Sequence, residues 1–224
     1  MIKISFKLIF AIVIMFYCAT SIAQKPKKNY EYQDTRKKTE SFAKATPPIK
    51  ADLATFTFAG IDESVAKAAL KKISFTSFGE NYMTFSGDDI TAAGDNIIAT
   101  VTTAPFEAAK HKLDYDEQYL IKIDRKPYYG GYGVIPKTYI KQVLIVIGKD
   151  TVNIPPAAYA DLYNLNFTYA DKSTHRSVNG IYISKDKHKV YLYLFCKDAT
   201  GSYEVTWIIQ DKKYARRVLD YGFM

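Results

Sequence analysis

Cysteine, histidine and tryptophan are nearly missing from this chain. Its 224 residues hold two cysteines, three histidines and one tryptophan. One cysteine, Cys18, falls in an N-terminal stretch that reads as a removable leader, which leaves Cys196 alone. An intrachain disulfide is thereby excluded, and stability must come from a core rather than from staples. Histidines 111, 175 and 188 form no H-x-x-x-H or H-E-x-x-H pair, and there is no C-x-x-C, so the sequence contains no zinc motif. Absent too are the G-x-S-x-G elbow, the G-x-G-x-x-G fingerprint and a Walker lysine. The sequence implies no cofactor, no metal and no motif-bearing catalytic set.

The chain also lacks an apolar run of membrane-spanning length. Leu8 to Tyr17 is a ten-residue apolar core, too short for a comfortable span. Lys3 and Lys7 precede it and Ser21-Ile22-Ala23 follows, which is the layout of a secretory signal peptide cleaved before Gln24. Tyr17 stands before Cys18 where a lipobox has a small residue, so lipidation is not expected. The reading is export to the periplasm or beyond, with no transmembrane segment after cleavage.

The net charge of +8 is unevenly placed. Gln24 to Pro48 holds seven basic and three acidic residues, ends in Thr46-Pro47-Pro48 and has no apolar period, so it reads as a flexible basic linker. From Ile49 onward there are 22 basic and 20 acidic residues. A nearly neutral body argues against nucleic acid, which calls for a basic patch on the fold itself. Residues 49–224 are expected to form a single domain, with 49–104 and 105–224 as possible subdivisions.

What the sequence has is tyrosine, 19 in all, and strand patterning. Asn179 to Phe223 contains four β-rich runs separated by short polar turns, the pattern of an antiparallel meander. In Val190–Cys196, Val190, Leu192, Leu194 and Cys196 share one face; Tyr191, Tyr193 and Phe195 share the other, so both faces should be covered. Ser202–Gln210 looks one-sided, with Glu204 and Thr206 on a wet face. Arg216 and Arg217 must point to opposite faces, and at least one needs solvent or a carboxylate. Cys196 reads as a small buried hydrophobe.

Upstream, Thr55–Ala59 suggests a short strand. Asp62–Ile73 suggests the main helix, with Asp62 as its N-cap and Val65, Ala69, Leu70 and Ile73 as its apolar stripe. Strands are expected at Ser74–Phe78, Tyr82–Phe85, Asn96–Thr103, Gln118–Asp124 and Tyr139–Ile147, the last turning at Gly148 into a hairpin over Thr151–Ile154. Short helices are expected at Pro105–Leu113 and Ala157–Asn164. Ser86–Asp89 and Gly94–Asn96 are oxygen-rich but lack a spaced calcium array, so they read as turns. The fold class is therefore α+β and β-rich, a mostly antiparallel sheet covered by the Asp62–Ile73 helix or by a second sheet.

Lys126–Pro136 places three tyrosines and three glycines between two prolines. A regular central strand is excluded there. Tyr128, Tyr129 and Tyr132 are the candidate ligand-binding residues, presenting amphipathic rings to a glycan or peptide. The competing expectation is that they fold back and cap the core.

The runs Asn-Gly-Ile-Tyr-Ile-Ser-Lys-Asp, Lys-Val-Tyr-Leu-Tyr-Leu-Phe and Ser-Tyr-Glu-Val-Thr-Trp-Ile-Ile-Gln-Asp, with the closing Arg-Arg-Val-Leu-Asp-Tyr-Gly-Phe, resemble uncharacterised exported proteins of Bacteroidetes-type bacteria. The resemblance covers roughly Val143 to Phe223. It implies export and implies no activity or site residue. The expected function is an exported, non-enzymatic binding or interaction protein of the bacterial envelope. The alternative is an envelope sugar or peptide hydrolase using unrecognised carboxylates or His175.

Overall fold

A strand that alternates aliphatic and aromatic side chains must be covered twice, because a pleated backbone sends the two sets to opposite faces. The computed structural model meets that demand with two separate cores. It describes residues 39–60, 69–167, 179–197 and 201–222, all within the compact unit Gln33–Met224.

In chain order, the described residues form helix α1 (Pro47–Leu53), then strands β1 (Lys71–Ile73), β2 (Phe75–Gly79), β3 (Tyr82–Gly87), β4 (Ile97–Pro105), β5 (Leu113–Asp116) and β6 (Tyr119–Ile123). They continue with β7 (Thr138–Ile147), β8 (Asp150–Val152), β9 (Gly180–Ile183), β10 (Lys189–Lys197), β11 (Ser202–Gln210) and β12 (Lys213–Tyr221). One sheet runs β1-β9-β10-β11-β12, and its last four strands are the C-terminal meander; a second runs β2-β3-β4-β7-β8. The hairpin β5–β6 stands apart from both, and every strand pairing is antiparallel. Where β11 turns into β12, Asp211 and Lys212 both adopt left-handed φ (49° and 62°), which a two-residue hairpin needs to follow the strand twist.

The inner faces of the two sheets share one core. Val190, Leu192, Leu194 and Cys196 of β10 meet Phe85, Ala99, Val101 and Ile145 of the second sheet, with Trp207 at 0% exposure among them. Its indole N–H donates to the Ala158 carbonyl at 3.0 Å, so the polar end of the ring is satisfied.

The opposite face of the meander was expected to be wet along β11, and it is dry. Residues 39–60 lie across it as a strap. Leu53 of α1 packs with Tyr191, Tyr193, Ile208 and Val218, and Phe56 stacks on Tyr182 with ring centroids 3.9 Å apart. Glu204, only 3% exposed, accepts the Phe58 and Ala59 N–H groups and the Tyr193 hydroxyl, each at 2.8 Å. Asp220 accepts the Phe42 N–H at 2.8 Å, and the Arg216 guanidinium donates to the Thr39 carbonyl at 3.0 Å. A carboxylate inside a sheet face is tolerable when it is hydrogen-bonded, and the strap's backbone supplies two of the three donors to Glu204.

The strap also revises the upstream expectations. The basic linker lies mostly outside the described residues, but the packed chain already includes 39–48, where Ser41 and Ala45 are buried. Thr55–Ala59 is not a strand: Phe56 and Thr57 N–H groups turn back to the Leu53 carbonyl, and the next two N–H groups go to Glu204. Of the helix expected at Asp62–Ile73, residues 61–68 lie outside the described set. Ala69 and Leu70 are not helical and Lys71–Ile73 is β1, its backbone paired with Ile181–Ile183. The longest α-helical run among the described residues is α1. Pro105–Leu113 yields only a 3-10 turn at Ala108–Lys110, and Ala157–Asn164 only one at Pro156–Ala158. Beyond that second turn, residues 161–163 are drawn into pairing with the Tyr129 backbone and cannot continue a helix.

Candidate functional site

A cleft of about 650 Å³ opens where the β4 and β7 ends, the β5–β6 hairpin and the 156–163 segment converge. That volume lies within the range of small-ligand sites. Each wall has a local cause. The strand pair β4–β7 bulges at Thr102/Thr103, and beyond the bulge Ala104 pairs with Tyr139, which leaves the Tyr139 ring 37% exposed at the rim. Phe106 is held by its N–H to the Lys137 carbonyl, 2.8 Å.

His111 and Asp124 are thirteen residues apart in sequence and become neighbours because β5 and β6 pair as a hairpin between them. Asp124 takes a left-handed φ of 50°, as does Arg125 at 63°, in a tight turn closed by reciprocal Ile123–Lys126 backbone bonds. Aspartate is among the residues that tolerate this conformation. Its Oδ1 accepts the Lys112 N–H at 2.9 Å and its Oδ2 lies 2.7 Å from His111 Nδ1. The His111 contact and then the Lys112 N–H hold the Asp124 carboxyl below the usual aspartate range, so it is ionised and acts only as acceptor. His111 therefore carries its proton on Nδ1 when neutral and presents Nε2 as the basic nitrogen. The imidazole also stacks on the Phe106 ring, centroids 4.6 Å apart and 22° between planes.

The back of the cleft is formed by Tyr163 and Asp161. Burial, reinforced by Asp124 and Asp161, pushes the Tyr163 phenol up to about 12, so it stays neutral. Asp161 is buried and paired in a fork with Arg217, at 2.6 and 2.8 Å. Arg217 also donates to Glu40 at 2.8 Å and to the Ala158 carbonyl at 3.2 Å. This satisfies the requirement that at least one of the adjacent arginines meet a carboxylate. It also ties the cleft wall, the meander and the strap into one network.

The three candidate tyrosines go three ways. Tyr128, 4% exposed, lines the cleft but turns its hydroxyl into its own loop, donating to the Gly131 carbonyl at 2.9 Å with the Val134 carbonyl at 3.1 Å. Burial raises its pKa. Tyr129, also 4% exposed, belongs to the inner core beside Tyr221. Tyr132 is 47% exposed and lies away from the cleft. The alternation of Pro, Gly and Tyr has a steric reason at Gly130: φ is +100°, and a Cβ there would stand 1.9 Å from the Tyr163 carbonyl oxygen. Backbone bonds from Tyr129 N–H to Asp161 O and from Tyr163 N–H to Tyr129 O weld the loop to the cleft wall.

The lining contains aromatic faces, a basic imidazole nitrogen and the lysines 110, 126 and 141, but no Ser, Thr or Cys among the described residues. The site can hold a ligand by stacking and hydrogen bonding, but the hydroxyls among its described lining residues are tyrosine phenols, with no serine, threonine or cysteine nucleophile beside His111. Cys196 is buried and donates to the Asn164 carbonyl at 3.0 Å. His188 sits in the β9–β10 turn against Asp211 at 2.8 Å, and His175 lies outside the described residues. Among the described residues no cluster of three or more His, Cys, Asp or Glu side chains is arranged to hold a metal ion, and no helix is long and apolar enough to cross a membrane.

Sequence reading missed His111–Asp124, Tyr139 and Tyr163 as a group. The hairpin turn between His111 and Asp124 was the available signal, since any hairpin brings the residues flanking its strands together. Compared with known protein families, with curated proteins and with solved structures, the chain matches none.

Proposed function

We propose that this chain is an exported, non-enzymatic binding protein of the bacterial envelope, and that the cleft between β7 and the β5–β6 hairpin takes a saccharide. The leader-like residues 1–23 support export. The observation that carries the binding reading is the cleft's lining. The rings of Phe106, His111, Tyr139 and Tyr159 bound a volume of about 650 Å³, with lysine ammonium groups and a neutral Tyr163 phenol among them. A pyranose ring offers an apolar C–H face and a rim of hydroxyls, which match stacked aromatic faces and scattered polar groups respectively. Tyr128 contributes to this site as wall and anchor. Tyr129 acts behind it through the backbone pairing that holds Asp161 and Tyr163, and Tyr132, on the same loop, lies outside the cleft.

Calorimetric titration of the full chain with neutral and acidic mono- and disaccharides, and with short peptides, tests this reading. Tyr139→Ala should weaken saccharide binding at least about tenfold, the loss of one good ring contact, while Tyr132→Ala should change it far less. Binding only to peptides, or equal binding by wild type and Tyr139→Ala, would contradict it.

The His111–Asp124 pair favours one alternative, a hydrolase that activates water. Under that reading His111→Ala and Asp124→Asn abolish product release from chromogenic glycosides or peptides while ligand still binds. Absence of turnover by wild type across such a substrate set removes it.

A further inference from the structure

The second sheet has an outer face with unusual chemistry. The register puts Tyr82, Thr84 and Ser86 of β3 beside Thr102, Thr100 and Ile98 of β4, and these beside Gln142, Leu144 and Val146 of β7. Ser77 of β2 and Thr151 of β8 extend the face on either side. Not one of these eleven positions is charged, although 24% of the chain is Asp, Glu, Lys or Arg. Tyr82, Ile98 and Leu144 are 41, 45 and 37% exposed. Thr84 and Thr100 join hydroxyls at 3.1 Å, so the face is a ladder of hydroxyl groups interleaved with apolar patches. The corresponding outer face of the meander is sealed by the strap, whereas this one stays open to solvent. Strand β4 carries it straight to the cleft: from Ile98 to Ala104 is roughly 20 Å at strand rise, and Ala104 pairs with Tyr139 of the cleft rim. Lys141, the extra residue at the bulge, stands where face and cleft meet.

We infer that the outer face of the β2-β3-β4-β7-β8 sheet is a platform for a neutral polysaccharide whose end or internal unit enters the cleft. This rests on the saccharide reading of the cleft and adds the class of ligand. An uncharged face gives no Coulombic reward to an acidic or basic polymer but loses nothing to a neutral one. Threonine, serine, tyrosine and glutamine side chains both donate and accept, as sugar hydroxyls do. Apolar side chains between them meet the C–H faces of the rings. Continuity with the cleft makes platform and cleft two linked subsites on one chain, so their contributions multiply.

The test is calorimetry on the full chain with neutral α- and β-linked glucan oligosaccharides of two and eight units, with an oligouronate as charged control. Wild type should bind an octasaccharide of the favoured linkage at least roughly tenfold more tightly than its disaccharide, as linked subsites require. Leu144→Lys and Thr100→Lys, both pointing outward and compatible with the fold, should abolish that gain and leave disaccharide binding intact. Tyr139→Ala should weaken both. If disaccharides bind but length brings no gain, or the gain survives both lysine variants, the platform is refuted while the cleft reading stands. If neither length binds, both fail. Tighter binding of the oligouronate, or a dimer in sedimentation that Leu144→Lys splits, would overturn the platform in favour of an acidic polymer or a second copy of this chain.

Discussion

Arg217 shows how much one side chain can decide. It is buried on β12, forks onto Asp161 and reaches Glu40, joining the cleft wall to the strap. Its charge is held on by those two carboxylates against the cost of burial, and its pKa moves above the ordinary arginine range. Removing one partner of a buried pair leaves the others uncompensated. Arg217→Met is therefore expected to lower unfolding free energy by about 3–5 kcal/mol, read by urea denaturation; a loss below about 1 kcal/mol, the size of an exposed pair, would contradict the network. The sequence made the requirement legible, since adjacent arginines on a strand cannot share a face. It did not identify the partners, because Glu40 and Asp161 lie 177 and 56 residues away and no local pattern links them. Tyr128, Tyr129 and Tyr132 illustrate the same limit. Composition marked the loop as special, and only the positive φ of Gly130 and the pairing with 161–163 determine which ring faces the cleft.

At the scale of elements, the strands of the meander were readable, while the cover on the Glu204 and Thr206 face of β11 was not. Period-two patterning is local, and β10 announces its two covered faces through Val190–Cys196 alone. The strap was not readable. It has short helical turns, little periodicity and a Pro-Pro pair at the start of α1, so it resembles a linker until the sheet face beneath it is known. What fixes it is Leu53, fully buried, together with Phe56 and the backbone bonds to Glu204. The expected helix over Asp62–Ile73 failed at its C-terminal end because three residues of amphipathic pattern serve equally well as an edge strand beside β9. Leu53→Ala should cost about 2–5 kcal/mol, as for a large-to-small change in a packed core, with the loss seen in the same cooperative transition as the sheets. A change of a few tenths, or a separate early transition, would mean that the strap is not part of the fold.

For the molecule as a whole, pH dependence follows from two opposed sets of carboxyls. Burial raises the Glu204 pKa despite the Ala59 and Phe58 N–H groups and the Tyr193 hydroxyl, so the folded state binds that proton more tightly than the unfolded chain. Its contribution is full below the ordinary glutamate range and is lost as pH rises through the raised value. Asp186 is the reverse. Ser184 first, then the His188 N–H, hold it down to about 2, so its contribution is present above the ordinary aspartate range and is lost as pH falls toward that value. Melting temperature measured from about pH 2 to 8, a span covering both carboxyl classes, should show a smaller decline on the alkaline side for Glu204→Gln than for wild type. Asp186→Asn should show a smaller decline on the acid side. Parallel curves for wild type and Glu204→Gln would contradict the buried-carboxylate account.

The most direct measurement of the central claim is a nuclear magnetic resonance titration of the full chain with neutral disaccharides, following aromatic and backbone signals together. The account predicts that the largest shifts fall on Phe106, His111, Tyr139, Tyr159 and Tyr163, the rings that line the cleft, with Tyr129 and the strap little changed. Shifts clustered anywhere else, or none at millimolar saccharide, would contradict a saccharide site in this cleft.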